Sequence, residues 1–112
     1  MEIKLRTLNN IYILDISGEI DLYNYYKLKD MIKEMIAKKI KKYIINFENV
    51  SYIDSSGIGS LIFIHTFLKD ANCDLILCNI HGPVKRVIEL TKLIGFLPIV
   101  ENLQDAVKKI SK

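Results

Sequence analysis

The apolar positions of this chain change from strand spacing to helical spacing before residue 40. Residues 2–8 alternate, with Ile3, Leu5 and Thr7 against Lys4 and Arg6, which predicts a half-buried strand near a sheet edge. Asn9-Asn10 is a turn pair that tolerates positive φ, and Ile11–Ser17 reads as a second, more buried strand, so the two form a hairpin. Gly18-Glu19-Ile20-Asp21 then breaks the strand. From Leu22 the spacing becomes helical: Leu22, Tyr25, Leu28, Ile32, Met35 and Ile36 share one face, with Asp21 as the natural N-cap. Tyr43–Phe47 is a short central strand. After the polar turn Val50–Gly57, the run Ile58–Lys69 is apolar nearly all round. Its length and flanking residues favour a helix that is buried on most sides or docks a partner.

Asp74–Asn79 predicts another buried strand, and Gly82-Pro83 the start of a helix with Val84, Val87, Ile88, Thr91 and Ile94 inward and Gly95 as its left-handed C-terminal cap. Leu97–Val100 reads as a short edge strand, because Pro98 cannot donate to a ladder, and Asn102 caps a last helix through Leu103, Ala106, Val107 and Ile110. The order is β-β-α-β-α-β-α-β-α. It predicts an α/β domain, residues 1–112, with a mixed, mostly parallel sheet of about five strands and four helices. If the strands before Asp21 and before Ser55 are parallel, both loops leave the same edge of the sheet, where open α/β sheets bind their ligands.

Composition narrows the field. Half of the residues are hydrophobic, but no apolar run is long enough to span a bilayer, and Met1–Arg6 reads as a strand rather than a targeting segment. The net charge is only +3. The basic cluster Lys38-Lys39-Ile40-Lys41-Lys42 reads as the last turn of a helix, since no aromatic or arginine pattern for nucleic acid accompanies it. Cys73 and Cys78, five apart, fall on opposite faces of a strand and read as reduced, mostly buried thiols of a cytoplasmic protein; no metal-ligand spacing is present.

Candidate chemistry concentrates at Asp54-Ser55-Ser56-Gly57, where a helix begins. One reading is a capped helix with a glycine for close packing. A second is a nucleophilic serine, which needs a base and an oxyanion site. The Gly-x-Ser-x-Gly elbow is absent, His65 lies more than two turns along the helix, and His81 reads as a loop residue. A third is a serine phosphorylated by another protein. That requires exposure and a phosphate-tolerant backbone, which a helix N-terminus supplies. Gly57 and Gly59, flanking Ile58, would let a partner's backbone come close. Spacing alone does not choose between Ser55 and Ser56.

Tyr52-Ile53-Asp54-Ser55-Ser56-Gly57-Ile58-Gly59 resembles the signature of bacterial anti-sigma-factor antagonists, the single-domain members of the STAS group. Gly18-Glu19-Ile20-Asp21 is similar to that group's Gly-Glu-Leu-Asp turn, Ile45-Asn46-Phe47 to the strand before its serine, and Pro83–Leu93 to its later helix. The resemblance implies a binding module rather than an enzyme, with no cofactor. Its unphosphorylated form binds an anti-sigma factor that is also a serine kinase using bound ATP, and so frees a sigma factor. Phosphorylation at the first serine, Ser55, ends the complex, and a serine phosphatase resets it. Asp21 and Asp54 correspond to positions near that serine and Asn46 to a strand-end position. With Ser56, Gly57, Ile58 and Gly59 they make up the implied partner- or nucleotide-binding set. A cytoplasmic monomer is expected, contacting neither nucleic acid nor membrane. The alternative is a STAS scaffold or nucleotide-sensing module without phosphotransfer. Leu22-Tyr23-Asn24-Tyr25-Tyr26 is unusually aromatic for the group, and its tyrosines divide between core and partner surface.

Overall fold

In the computed structural model, which describes residues 1–112, eight elements follow one another. They are β1 (Glu2–Leu8), β2 (Ile11–Ile20), α1 (Tyr25–Ala37), β3 (Lys42–Ile53), α2 (Ser55–Asp70), β4 (Asp74–Cys78), α3 (Gly82–Leu90) and α4 (Leu103–Ile110). The sheet order is β1-β2-β3-β4: a hairpin through Asn9 at φ 56°, then two parallel pairings joined by helical crossovers. Leu14, Ile16, Tyr43, Ile45, Phe47, Leu75 and Leu77 face α1, α2 and α3 in the main core, while Ile11, Ile13, Ile44, Ile76 and Cys78 pack under α4. Both faces are covered, so the central strands are continuous apolar runs.

The β2–β3 pairing sets the geometry of the site. Asp15 pairs with Asn46, yet Ser17 pairs with Asn49 and Glu19 with Tyr52. β3 thus carries two bulged residues before the final pair, Ile20–Ile53. The positions of β3 that face the main core fall two apart at Tyr43, Ile45 and Phe47, then three apart at Val50 and Ile53. The bulges return Val50 and Ile53 to the core face, so the strand runs to Ile53 rather than ending at Phe47. Gly18 does not end β2 either; it sits inside the strand at φ 91°, a conformation glycine adopts freely.

Other expectations change for local reasons. Residues 97–100 add one bridge, Ile99 to Leu77, not a fifth strand; Leu77 donates to the Pro98 carbonyl, Val100 donates back to Leu77, and the chain then leaves for α4. Helix α1 starts at Tyr25, with Asn24 rather than Asp21 in the N-cap position, which leaves Leu22 outside the helical face. The lysine cluster is a turn after α1, with Lys39 at φ 64°, and not the helix's last turn. Helix α3 stops at Leu90, and Lys92 takes the left-handed conformation expected of Gly95. On β1, Leu5 and Leu8 are exposed, as befits the edge strand of the sheet. Cys73 precedes β4 and is half-buried; Cys78 is buried within it, and burial pushes its thiol up to about 11.

A polar row crosses the sheet on the α4 side. Arg6 forks onto Asp15, Asn46 Nδ2 donates to Asp15 Oδ1 at 2.8 Å, and Asn79 Nδ2 donates to Asn46 Oδ1 at 2.9 Å. Burial alone would raise the Asp15 pKa, but the bonds from Arg6 and Asn46 outweigh it and hold the carboxyl below its ordinary range. A carboxylate whose folded pKa is depressed stabilises the fold above its unfolded value, about 4, and loses that contribution as pH falls through the folded value. Urea unfolding across the acid range should therefore show a shallower loss of stability below about pH 4 in Asp15→Asn than in the wild type.

Candidate functional site

The parallel β2–β3 pairing brings Ile20 and Ile53 to one sheet edge, side by side. A single residue, Asp54, then joins strand to helix. Its backbone is extended, its N–H donates to the Ile20 carbonyl at 3.2 Å, and its carbonyl accepts the first helical bond from Ile58 at 2.9 Å. Its carboxylate has two partners: Oδ1 accepts from the Gly57 N–H at 3.0 Å and Oδ2 from the Leu22 N–H at 3.1 Å. Asp54, not a serine, is the N-cap of α2. Ser55 and Ser56 occupy the first two helical positions, Ser55 exposed and Ser56 half-buried.

The facing turn, Asp21–Asn24, is braced from within. Asp21 Oδ1 accepts from the Tyr23 N–H, Asn24 Oδ1 accepts from the Asp21 N–H, and Asn24 Nδ2 donates to the Glu19 carbonyl, all at 2.9 Å. This local bonding explains why Asp21 does not cap α1. It also thrusts Leu22 and Tyr23 outward, at 60% and 84% exposure, whereas Ile20 is fully buried. Of the tyrosines, Tyr25 is half-buried and meets Tyr26 edge-on, while Tyr26 is half-exposed. The aromatic opening of α1 therefore does divide between core and surface.

The eight singled-out residues separate into groups. Asp21, Asp54, Ser55 and Ser56 meet at the sheet edge, with Gly59 exposed one turn after Ser55 on the same helical face. Gly57 and Ile58 point the other way. A Cβ on Gly57 would lie 2.8 Å from the Ile20 carbonyl oxygen and 2.5 Å from Ile53 Cγ1, so the glycine lets α2 start against the end of β2. Ile58 is 6% exposed and belongs to the core. Both are packed within the fold rather than displayed on its surface. Asn46 sits mid-strand, seven residues before Ile53, with its side chain engaged by Asp15 and Asn79, because β3 is longer than its apolar run suggested. His65, ten positions beyond Ser55 on α2, packs edge-on to Phe96, and burial, then Lys69, lowers its pKa. His81 Nε2 lies 2.7 Å from the Glu48 carbonyl.

Helix α2 is buried through Gly57, Ile58, Ser60, Leu61, Ile64 and Leu68, which accounts for most of its apolar surface. Its remaining aromatics, Phe63 and Phe67, stack at 5.4 Å, with the Lys29 ammonium 4.2 Å above the Phe63 ring. Sequence reasoning missed Asn24 and underrated Leu22. The spacing of Asp21 and Asn24 was a usable signal, since Asn and Asp side chains bond local backbone groups. No helix is long and apolar enough to cross a membrane.

A four-stranded mixed sheet with a serine pair at the start of the helix after its third strand defines a recognisable class. The STAS domain model matches residues 2–106, and the chain belongs to that family. An anti-sigma F factor antagonist of Paenibacillus polymyxa is 22% identical over 111 residues, 98% of this chain and 95% of its own length. An anti-sigma-B factor antagonist of Staphylococcus aureus is 25% identical over 104 residues, covering 93% and 96%. The anti-sigma factor antagonist SpoIIAA in its unphosphorylated form matches with a TM-score of 0.83 at 21% identity, over 98% of this chain and 96% of that one. The phosphorylated form of the Bacillus protein matches at 0.74 and 20%, over 99% and 100%. At these identities the structural likeness is one of fold.

The two glycines should respond oppositely to alanine. Gly57→Ala drives a methyl group into backbone and should lower stability by about 1–3 kcal/mol. At Gly59 no atom beyond the adjoining backbone of its own helix lies within 4 Å of the place a Cβ would take. Gly59→Ala should therefore raise stability by about 0.5–1 kcal/mol through helix propensity alone. Urea melts of the free proteins check both signs.

Proposed function

We propose that this protein is an anti-sigma-factor antagonist switched by phosphorylation of Ser55. The unmodified form binds an anti-sigma factor that is also a serine kinase and carries ATP, so releasing a sigma factor in the cytoplasm. The kinase then phosphorylates Ser55, the complex dissociates, and a serine phosphatase restores the binding form. The observation that carries this reading is the exposed hydroxyl of Ser55 at the first turn of α2, on the same sheet edge as Asp21 and Asp54.

The chemistry of the edge fits such a switch. A phosphate adds close to two negative charges. At an exposed helix N-terminus it leaves the fold intact, because the helix dipole favours negative charge there and no buried group is displaced. Its effect falls on the complex, where a dianion beside Asp54 and Asp21 would be desolvated without a counter-charge. Asp21, Asp54, Ser55, Ser56 and Gly59 form the polar part of the proposed contact surface, and exposed Leu22 and Tyr23 its apolar flank. The open space over Gly59 supports this reading, since it leaves room for a partner backbone to lie close over α2.

The Ser55→Ala chain, held in the unmodified state, should capture an ATP-binding serine kinase from extracts of the source cells. Incubated with that kinase and ATP, the wild type should gain one phosphate at Ser55 by mass spectrometry. Its affinity should fall about a hundredfold or more, with an unchanged far-ultraviolet circular dichroism spectrum. Absence of the phosphate, together with equal release of wild type and Ser55→Ala in ATP, would remove the switch. Strong NMR shifts at the Asp21 and Ser55 loops on adding ATP or GTP without any partner would point to nucleotide sensing instead.

A further inference from the structure

The carboxylate of Asp54 holds the N–H groups of Gly57 and Leu22 at 3.0 and 3.1 Å. These are donors that a dianion on the adjacent Ser55 would otherwise draw on, because charge-assisted bonds to backbone amides are strong and helix N-termini favour anions. A phosphate bonded to those amides would be partly neutralised. One left in solvent keeps its full charge toward an approaching surface. We infer that Asp54 is a positioning residue of the switch: by occupying both amides it keeps a phosphate on Ser55 directed outward, where it repels a bound partner.

This role rests on Ser55 being the phosphoacceptor. Three features keep the carboxylate where it is. Asp54 is tied at both backbone ends, its N–H to Ile20 and its carbonyl to Ile58. The Leu22 N–H is aimed by a turn that Asp21 and Asn24 brace from within. The Gly57 amide is fixed because that residue packs directly on the Ile20 carbonyl and the Ile53 side chain. Repulsion between the carboxylate and the neighbouring dianion adds to the same outcome, since a phosphate turning inward would have to approach Asp54.

Phosphoserine inserted at position 55 during translation tests this without any kinase. NMR of the 15N-labelled chain, with and without the phosphate, would be recorded for the wild type, Asp54→Ala and Asp54→Asn. In the wild type, the Leu22 and Gly57 amides should keep their shifts and show no coupling to phosphorus. In Asp54→Ala, at least one of them should move downfield and show through-bond coupling to 31P. In Asp54→Asn, which retains a single side-chain oxygen and so keeps an N-cap if the alanine variant unfolds, one of the two should do so. Before phosphorylation, loss of the charged acceptor should speed hydrogen exchange of Leu22 by about tenfold. Coupling to phosphorus at either amide in the wild type, no coupling in any Asp54 variant, or unchanged Leu22 exchange would overturn the role. Failure of the phosphorylation reading itself would show elsewhere, as a kinase that leaves Ser55 unmodified while the inserted phosphate still reports on Asp54.

Discussion

The carboxylate of Asp54 accepts one hydrogen bond from its own helix and another from the turn that leads into α1, and the shape of the sheet edge depends on that pair of contacts. Without the first, the N-terminus of α2 would lose its cap, and without the second, the Asp21–Asn24 turn would lose its side-chain link to α2. Bonds to an ionised acceptor are stronger than neutral ones, so this is an economical way to fix two loops with one residue. The exposed hydroxyl of Ser55 is presented from that fixed frame.

The frame exists because of events earlier in the chain. The bulges in β3 allow a strand with two extra residues to end level with β2, so Asp54 emerges beside Ile20. Glycine at 57 then lets the helix start in contact with the end of β2. The polar row from Arg6 through Asp15 and Asn46 to Asn79 pins the other end of the same register. Since a one-residue slip would turn every side chain to the opposite face, register here is a condition for the site.

A division of labour follows within one short motif. Gly57 and Ile58 belong to the core, and Ser55 and Gly59 to the surface, so neighbours in sequence are turned inward and outward as the helix turns. The turn before α1 works likewise: Asp21 and Asn24 bond inward to backbone and leave Leu22 and Tyr23 outside. A partner meeting this edge would find a polar centre with an apolar flank, the usual make-up of a protein contact surface.

Much of this was legible in the residues. Apolar period marked the hairpin and three of the four helices, because burial on one face imposes spacings of two or three and a half, while length and flanking residues marked α2. The helix start at Asp54–Gly57 and its place beside Asp21 followed from strand order alone. The sequence did not reveal that β3 continues to Ile53, since bulges replace a period of two by a spacing of three at Val50 and Ile53, which local pattern reads as a loop. It did not show Asn46 as a mid-strand residue, because that depends on the bulges that extend β3, or Leu22 as exposed, because that depends on the turn that Asp21 and Asn24 brace. Which atoms of Asp54 meet Leu22, thirty-two residues away, is likewise a property of the folded sheet. Local propensity selects elements from neighbours in sequence, whereas contacts between distant loops are set by pairing register, and only the tertiary structure decides that.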